Sequence, residues 1–347
     1  MSRDIASVDR RTILKAAGAA GVIGLAGCVG EEPEDDEEEE MENGEAEEGE
    51  ETLGEDDEPE EGGERITWHA GGTDGTYYPL SGEIKNVVDD NTPHVLQVQS
   101  TGASVENVGS LNEGTADFAL IQNDIAYFAV NGTGIDEFEG NPVESLRGVA
   151  TLYPETIHIV VNPDAGVESL EDLEGSTVNT GDLGSGTQVN ALQILETAGL
   201  SADDFNEQNA GFGTASDQIR DGDVDAAFVV GGWPVGAVED LATTTDIEIL
   251  DLDQETRDAL LDDAEWFAED TIPGGTYDGV DEDVETVSVQ AMIATREDLD
   301  EGIVEDVTTA IFDNEEGIDT KGEFIDLDSA QDAMSIDLHP GAEAYFG

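Results

Sequence analysis

The chain has 347 residues, with 85 acidic against 11 basic side chains, a net charge of −74 and a single cysteine. A polyanion of that strength repels nucleic acid and anionic lipid. One cysteine makes neither a disulfide framework nor a CxxC-type zinc site, and no run of about 18 apolar residues is present to span a bilayer. Charge this dense also strains a folded body by self-repulsion unless salt screens it, which points to a salt-rich environment.

The N-terminus reads as an address. Arg10-Arg11 precedes a short Ala/Gly-rich apolar run, which ends in Leu25-Ala26-Gly27-Cys28. Twin arginines before such a run mark a Tat signal, which exports folded proteins. The last four residues resemble a bacterial-type lipobox, in which the thiol of Cys28 carries the lipid. Residues 1–28 are therefore expected to be a Tat signal with a lipobox, leaving the protein lipid-anchored on the outer face of the cytoplasmic membrane. From residue 29 to residue 64 there are 22 acidic side chains and no Lys or Arg. Such a segment cannot bury enough surface to offset its ordering entropy, so a disordered acidic tether is expected. The remaining residues 65–347 hold 61 acidic and 7 basic side chains, net −54, so the acidity belongs to the body as well.

In the body, strands and helices alternate. Residues 65–70 read as a strand. It is followed by the Gly-rich loop Gly71-Gly72-Thr73-Asp74-Gly75-Thr76-Tyr77-Tyr78-Pro79 and a helix to about Asp89. Val95–Gln99 reads as a strand, then a helix starts near Val105, and Asp117–Gln122 is a strand ending in Gln122-Asn123-Asp124. Leu146–Leu152 and Ile157–Val161 read as two strands separated by Tyr153-Pro154-Glu155. Ser176–Thr180 is a strand leading through Gly181-Asp182-Leu183-Gly184-Ser185-Gly186-Thr187 into a helix over 188–198. This rhythm argues for parallel α/β sheets. The stretch Leu111-Asn112-Glu113-Gly114-Thr115-Ala116-Asp117-Phe118-Ala119 recurs as Ile219-Arg220-Asp221-Gly222-Asp223-Val224-Asp225-Ala226-Ala227. A repeated helix–turn–strand unit predicts two similar lobes, with a ligand cleft at the strand carboxyl ends.

The candidate chemistry is sparse. Asp221-Gly222-Asp223-Val224-Asp225 lacks the glycine and terminal glutamate of a calcium loop, and strand entry explains it better. Neither Gly-rich loop is a P-loop. Each loop alone is either a tight turn with an N-cap or an anion cradle made of backbone N–H groups and a helix N-terminus. His69, His94, His158 and His339 have no metal-ligand spacing, and His158 reads as a hydrogen-bonded core residue. No GxSxG elbow occurs, so the chain is not read as an enzyme, and no cofactor is expected. Tyr77, Tyr78, Tyr153 and Trp233 lie beside Gly or Pro at strand ends, where aromatic walls suit a pocket.

Seven short motifs carry a family resemblance. In order they are Thr73-Asp74-Gly75-Thr76-Tyr77-Tyr78-Pro79, Ala103-Ser104-Val105-Glu106-Asn107, Gln122-Asn123-Asp124, Leu152-Tyr153-Pro154-Glu155, Gly184-Ser185-Gly186-Thr187, Ile272-Pro273-Gly274-Gly275-Thr276-Tyr277 and His339-Pro340-Gly341-Ala342. Together they resemble TAXI-type solute receptors of TRAP transporters, here of haloarchaeal type. The resemblance implies an α/β, two-lobed, type II periplasmic-binding-protein-like clamshell with a hinge. On that pattern residues 65–155 and 282–347 form lobe 1 and 156–281 form lobe 2. It implies a small organic anion or amino acid as ligand, glutamate-like or a dicarboxylate, delivered to a TRAP membrane subunit that is usually a fused permease. A receptor feeding a signalling partner is the alternative. Carried over by motif, the ligand contacts are Thr73, Thr76, Tyr77, Tyr78, Ser100, Gln122, Asn123 and Asp124 from lobe 1. Tyr153 lies near the hinge, and Ser185, Gly186, Thr187 and Trp233 come from lobe 2. Two departures matter. Ala103 replaces a common Gly, and Asp74 stands where relatives often have a small residue. An acid there repels a carboxylate and suits an ammonium, which tilts the expectation toward an amino acid. Arg147 is expected to pair with surface carboxylates instead of a ligand.

Overall fold

A computed structural model describes residues 51–54 and 57–347. The twin arginines and Cys28 lie outside the described residues. The first ordered element falls inside the expected tether: β1 (Thr52–Leu53) pairs antiparallel with the edge strand that follows it in space, Thr52 opposite Gln99 and Leu53 opposite Val98. This corrects the expectation of an acidic segment left out of the fold as far as residue 64. A β-branched and an apolar residue meet a free strand edge there, and two of the body's few cations hold the acidic chain beside them. Lys85 Nζ bonds Asp57 Oδ2 at 2.8 Å, and Arg65 Nη1 donates to the Gly54 carbonyl at 3.3 Å.

Two βαβαβ units carry the body. The first is β2 (Arg65–His69), α1 (Tyr77–Asn91), β3 (Val95–Gln99), α2 (Ser104–Glu113) and β4 (Phe118–Gln122). After α3 (Asn123–Asn131) and the long strand β5 (Leu146–Val161) comes the second unit: β6 (Thr177–Asn179), α4 (Gly186–Thr197), β7 (Asn206–Gln208), α5 (Phe212–Asp221) and β8 (Ala226–Gly231). The chain ends with α6 (Gly236–Thr244), β9 (Glu248–Ile249), α7 (Gln254–Asp263), β10 (Ala268–Ile272), β11 (Val284–Arg296), α8 (Glu301–Asp313) and α9 (Pro340–Phe346). Among the described residues the strands join in the order β1-β3-β2-β4-β11-β5-β8-β6-β7, with β9 on β5 and β10 on β11.

The two units are topological copies. In each, the first strand lies between the other two, all three are parallel, and a long antiparallel strand closes the set: β11 beside β4, and β5 beside β8. The sequence repeat marks the same joint in both. Gly114 and Gly222 cap α2 and α5 in the left-handed conformation, at φ 72° and 75°, which glycine adopts without steric cost. Asp117 Oδ2 then accepts the Thr67 amide at 2.9 Å, and Asp225 Oδ2 accepts the Thr177 amide at 2.8 Å. The run of acids at 221–225 is thus a strand entry, as its mismatch to a calcium loop suggested.

Strands β5 and β11 run through both halves. Val287 and Val289 pack into the core of the second unit, whereas Ala291 and Ile293 pack into that of the first. The expected break at Tyr153-Pro154-Glu155 does not occur, and β5 is continuous over 16 residues. Pro154 is tolerated because it faces Gln290 beside a register shift in β11, and pairing with β8 begins only at Thr156. Proline in a sheet needs such a bulge or edge. The fold is therefore the expected two-lobed α/β clamshell of the type II periplasmic-binding kind.

Apolar stripes build the cores. In α1 the residues Leu80, Ile84, Val87 and Val88 recur at helical spacing and cover Trp68, which stacks on Phe118 at 5.7 Å. Each such buried aliphatic side chain contributes about 1.5–3 kcal/mol. The indole N–H of Trp68 donates to Ser81 Oγ at 2.9 Å, so its burial leaves no donor unpaired. Among the described residues no helix is long and apolar enough to cross a membrane.

A cavity ringed by four helix N-termini

Each βαβαβ unit has two strand-to-helix turns, and all four reach one cavity of about 520 Å³. The first half supplies the N-terminal turns of α1 and α2, and the second half those of α4 and α5. The first i→i−4 bonds start at Leu80, Asn107, Val189 and Ala215. Earlier amides in each helix, such as those of Tyr77, Ser104, Gly186 and Phe212, have no partner within their helix, and the helix dipole adds partial positive charge there. Two opposed pairs of such ends suit a small anionic group.

Of the residues expected to contact ligand, Thr73, Thr76, Tyr77, Ser100, Gln122, Tyr153, Ser185, Gly186 and Thr187 line this cavity. Two of them already spend their hydroxyls on the loops. Ser185 Oγ donates to the Asp182 carbonyl at 2.7 Å and accepts the Gln188 amide, and Ser100 Oγ donates to the Gly71 carbonyl at 3.1 Å. By contrast, Thr76 Oγ1, Tyr77 Oη and Gln122 Oε1 are buried with no hydrogen-bond partner of good geometry in the protein.

Four expected contacts lie elsewhere. Tyr78 follows Tyr77 on α1 and so points a third of a turn away, against the core of the first half. Asn123 is a fastener: its Oδ1 accepts the amides of Asp124 and Gln290, each at 3.0 Å, tying α3 to β11. Asp124 is fully buried between the halves, where its Oδ2 accepts from Asn190 Nδ2 of α4 at 2.7 Å. Burial pushes its carboxyl up to about 7. Trp233 is held outside the cavity by Lys321, whose ammonium bonds the Trp233 carbonyl and lies 5.6 Å from the ring centroid.

The chief residue that sequence reasoning passed over is Glu155. It lies within the matched Leu152-Tyr153-Pro154-Glu155 motif, two places after Tyr153 and hence on the same face of β5. In so acidic a chain its carboxylate carried no signal by itself. It is 3% exposed, lines the cavity, accepts from Gln122 Nε2 at 2.9 Å, and is approached by the Tyr153 hydroxyl at 3.4 Å. Burial pushes its carboxyl up to about 7, with the nearby Tyr77 hydroxyl and the bonds from Gln122 and Tyr153 opposing the shift and the charge of Asp124 adding to it. Burial also holds the phenols of Tyr77 and Tyr153 well above their usual range, so both stay protonated donors. The remaining acids of the lining, Glu51, Asp74, Glu106 and Asp182, sit at the more exposed positions. No Lys or Arg lines the cavity.

The halves touch around this cavity. The Ala237 amide bonds the Asp74 carbonyl at 3.3 Å, and a Cβ on Gly186 would come within 1.7 Å of Gln122 Oε1. Ala103, the N-cap of α2, has φ 71° and ψ −141°, a backbone region that glycine adopts and L-side chains resist. Arg147 pairs with Glu297 at 2.7 Å. His158 donates through Nδ1 to the Thr156 carbonyl and accepts through Nε2 from Tyr277 Oη at 2.9 Å, and burial pushes its pKa down to about 4. It is a neutral core residue. Among the described residues no cluster of His, Cys, Asp or Glu could hold a metal.

Solved structures of other proteins are similar to this one. A structure from Bordetella bronchiseptica is 17% identical, covering 82% of this chain and 89% of that one at a TM-score of 0.51. An alkanesulfonate-binding protein from Xanthomonas axonopodis pv. citri, bound to MOPS, is 15% identical over 83% of this chain and 84% of its own, at a TM-score of 0.41. A substrate-binding protein of a Streptococcus pneumoniae ABC uptake transporter, with bound histidine, is 14% identical over 71% and 85%, at 0.44. Over residues 69–347, nearly the whole of the described body, the sequence matches the model of the NMT1-like family, and the chain belongs to that family.

Proposed function

We propose that the protein is an extracytoplasmic solute receptor of a TAXI-type TRAP system. It captures a small organic anion or amino acid and delivers it to the membrane subunit without chemical turnover. The observation that carries this reading is the ring of four helix N-termini, two from each half, around one cavity. Contacts from both halves to one solute exist only when the halves are together, so the solute favours closure by population shift. The hinge lies where β5 and β11 pass between the halves, near Pro154 and Gln290. In this reading Cys28 carries a lipid, Tat export delivers the folded body, and the acidic surface suits molar salt. Deleting the gene should abolish uptake of the bound solute. Undiminished uptake would assign the receptor to a signalling partner.

A further inference from the structure

Resting on that receptor reading, we propose that Glu155 is the ammonium subsite of the cavity: it selects amino acids over the matching 2-oxo acids and gives up a proton to solvent when the solute binds. Glu155 is the one buried carboxylate of the lining, and no Lys or Arg of the lining offers it a counter-charge. Its two bonds from Gln122 and Tyr153 leave lone pairs open, since an ionised carboxylate accepts at about four sites. In the same lining, Gln122 Oε1 and Thr76 Oγ1 are buried acceptors without partners. A carboxylate, an amide oxygen and a hydroxyl match the three N–H donors of an ammonium group. A 2-oxo acid presents a carbonyl oxygen at that place. At pH 8, where Glu155 is ionised, it would set acceptor against acceptor and leave buried polar groups unpaired, which discriminates more strongly than a size difference.

Proton release follows from the surroundings of Glu155. Tyr77 of α1 and Tyr153 of β5 face it as neutral phenols, Gln122 of β4 is neutral, and Asp124 of α3 adds a like charge. On β11 the residue opposite is Val289, and the acids of the cavity rim are Glu51, Asp74, Glu106 and Asp182. These neighbours favour the protonated acid before binding. An incoming ammonium reverses that preference, and the carboxyl proton leaves for bulk buffer while the ammonium keeps all of its own. With a carboxyl that titrates near 7, about half a proton per solute is released at pH 7, and affinity falls about 100-fold between pH 8 and pH 5.

The test uses the full chain in molar KCl, titrated calorimetrically with the twenty standard L-amino acids and with 2-oxoglutarate and pyruvate. The expected result is binding of an amino acid and none of the 2-oxo acids. Heats measured in buffers of different ionisation enthalpy should report the released proton. The Glu155→Gln variant should bind more weakly and lose the pH dependence, whereas Asp124→Asn should keep it. Tight binding of 2-oxoglutarate or pyruvate, or an affinity constant from pH 5 to pH 8, overturns the ammonium assignment and leaves the receptor reading standing. Binding of neither class overturns both.

Discussion

Gly186→Ala is the sharpest perturbation the structure offers. Gly186 is the first residue of α4 in the second half, and the nearest atoms to its missing Cβ belong to the first half. That Cβ would lie 1.7 Å from Gln122 Oε1, 2.5 Å from Gln122 Cδ and 3.0 Å from Ser104 Oγ. Either the halves stay apart, or Gln122 swings away and gives up its 2.9 Å bond to Glu155. A hydrogen bond to an ionisable group contributes about 1.5–3 kcal/mol. For a solute held only by the closed form, that loss corresponds to an affinity about 10- to 150-fold weaker. If the halves stay apart, neither loses a contact of its own, and the thermal midpoint of the solute-free protein should stay within about 2 °C of wild type. Gly109→Ala, within α2 and away from the cavity, is the control, because a Cβ there meets nothing within 4 Å. Titration of both variants with the strongest amino acid binder decides the matter. Gly186→Ala binding within twofold of wild type would refute closure through this contact.

Three further outcomes are expected. Ala103→Gly should relieve the strained N-cap and stabilise the protein by about 1 kcal/mol in a denaturant titration, and a loss of stability would show that no strain is stored there. Asp124→Asn should act through pH: the folded carboxyl titrates near 7, above the unfolded value of about 4. The folded state therefore binds the extra proton between about pH 4 and pH 7, and wild-type stability falls as pH rises through that window. The variant should match wild type near pH 4 and exceed it by about 2–4 kcal/mol at pH 8 in denaturant midpoints, and equal stability at pH 8 would contradict the assignment. Lowering salt from molar to about 0.1 M lengthens the Debye length from about 3 to 10 Å, which should unfold the acidic body. Circular dichroism retained at low salt would contradict a salt-dependent fold.

Much of this molecule is legible in its sequence because local rules and topology agree. Gly114 and Gly222, each followed by an aspartate that opens a strand, announce the duplicated unit before any coordinates are known. The Gly-rich turns after β2 and β6 likewise mark two of the four helix ends at the cavity. What stayed hidden depends on neighbours distant in sequence. Pro154 looked like a strand break, and only the register shift in β11 shows why β5 continues. The Thr52–Leu53 strand depends on a free edge that an acidic, low-complexity context disguises. At the site, Tyr78, Asn123 and Asp124 adjoin true cavity residues in the chain yet turn away from the cavity, since successive helical residues point about 100° apart. Glu155 was obscured for the opposite reason. Burial separates it from every described acid except Asp124, and burial of two carboxylates among 85 acidic side chains has no local signature.

The central claim is that the two halves close on one small organic acid. The most direct measurement is mass spectrometry of what the full chain, purified from its native host in molar salt, releases on denaturation. The account predicts about one equivalent of a single small carboxylate-bearing solute, with an amino group if Glu155 plays its part, and much less from the Gly186→Ala variant. A stoichiometric molecule without a carboxylate, or equal recovery from both proteins, would contradict it.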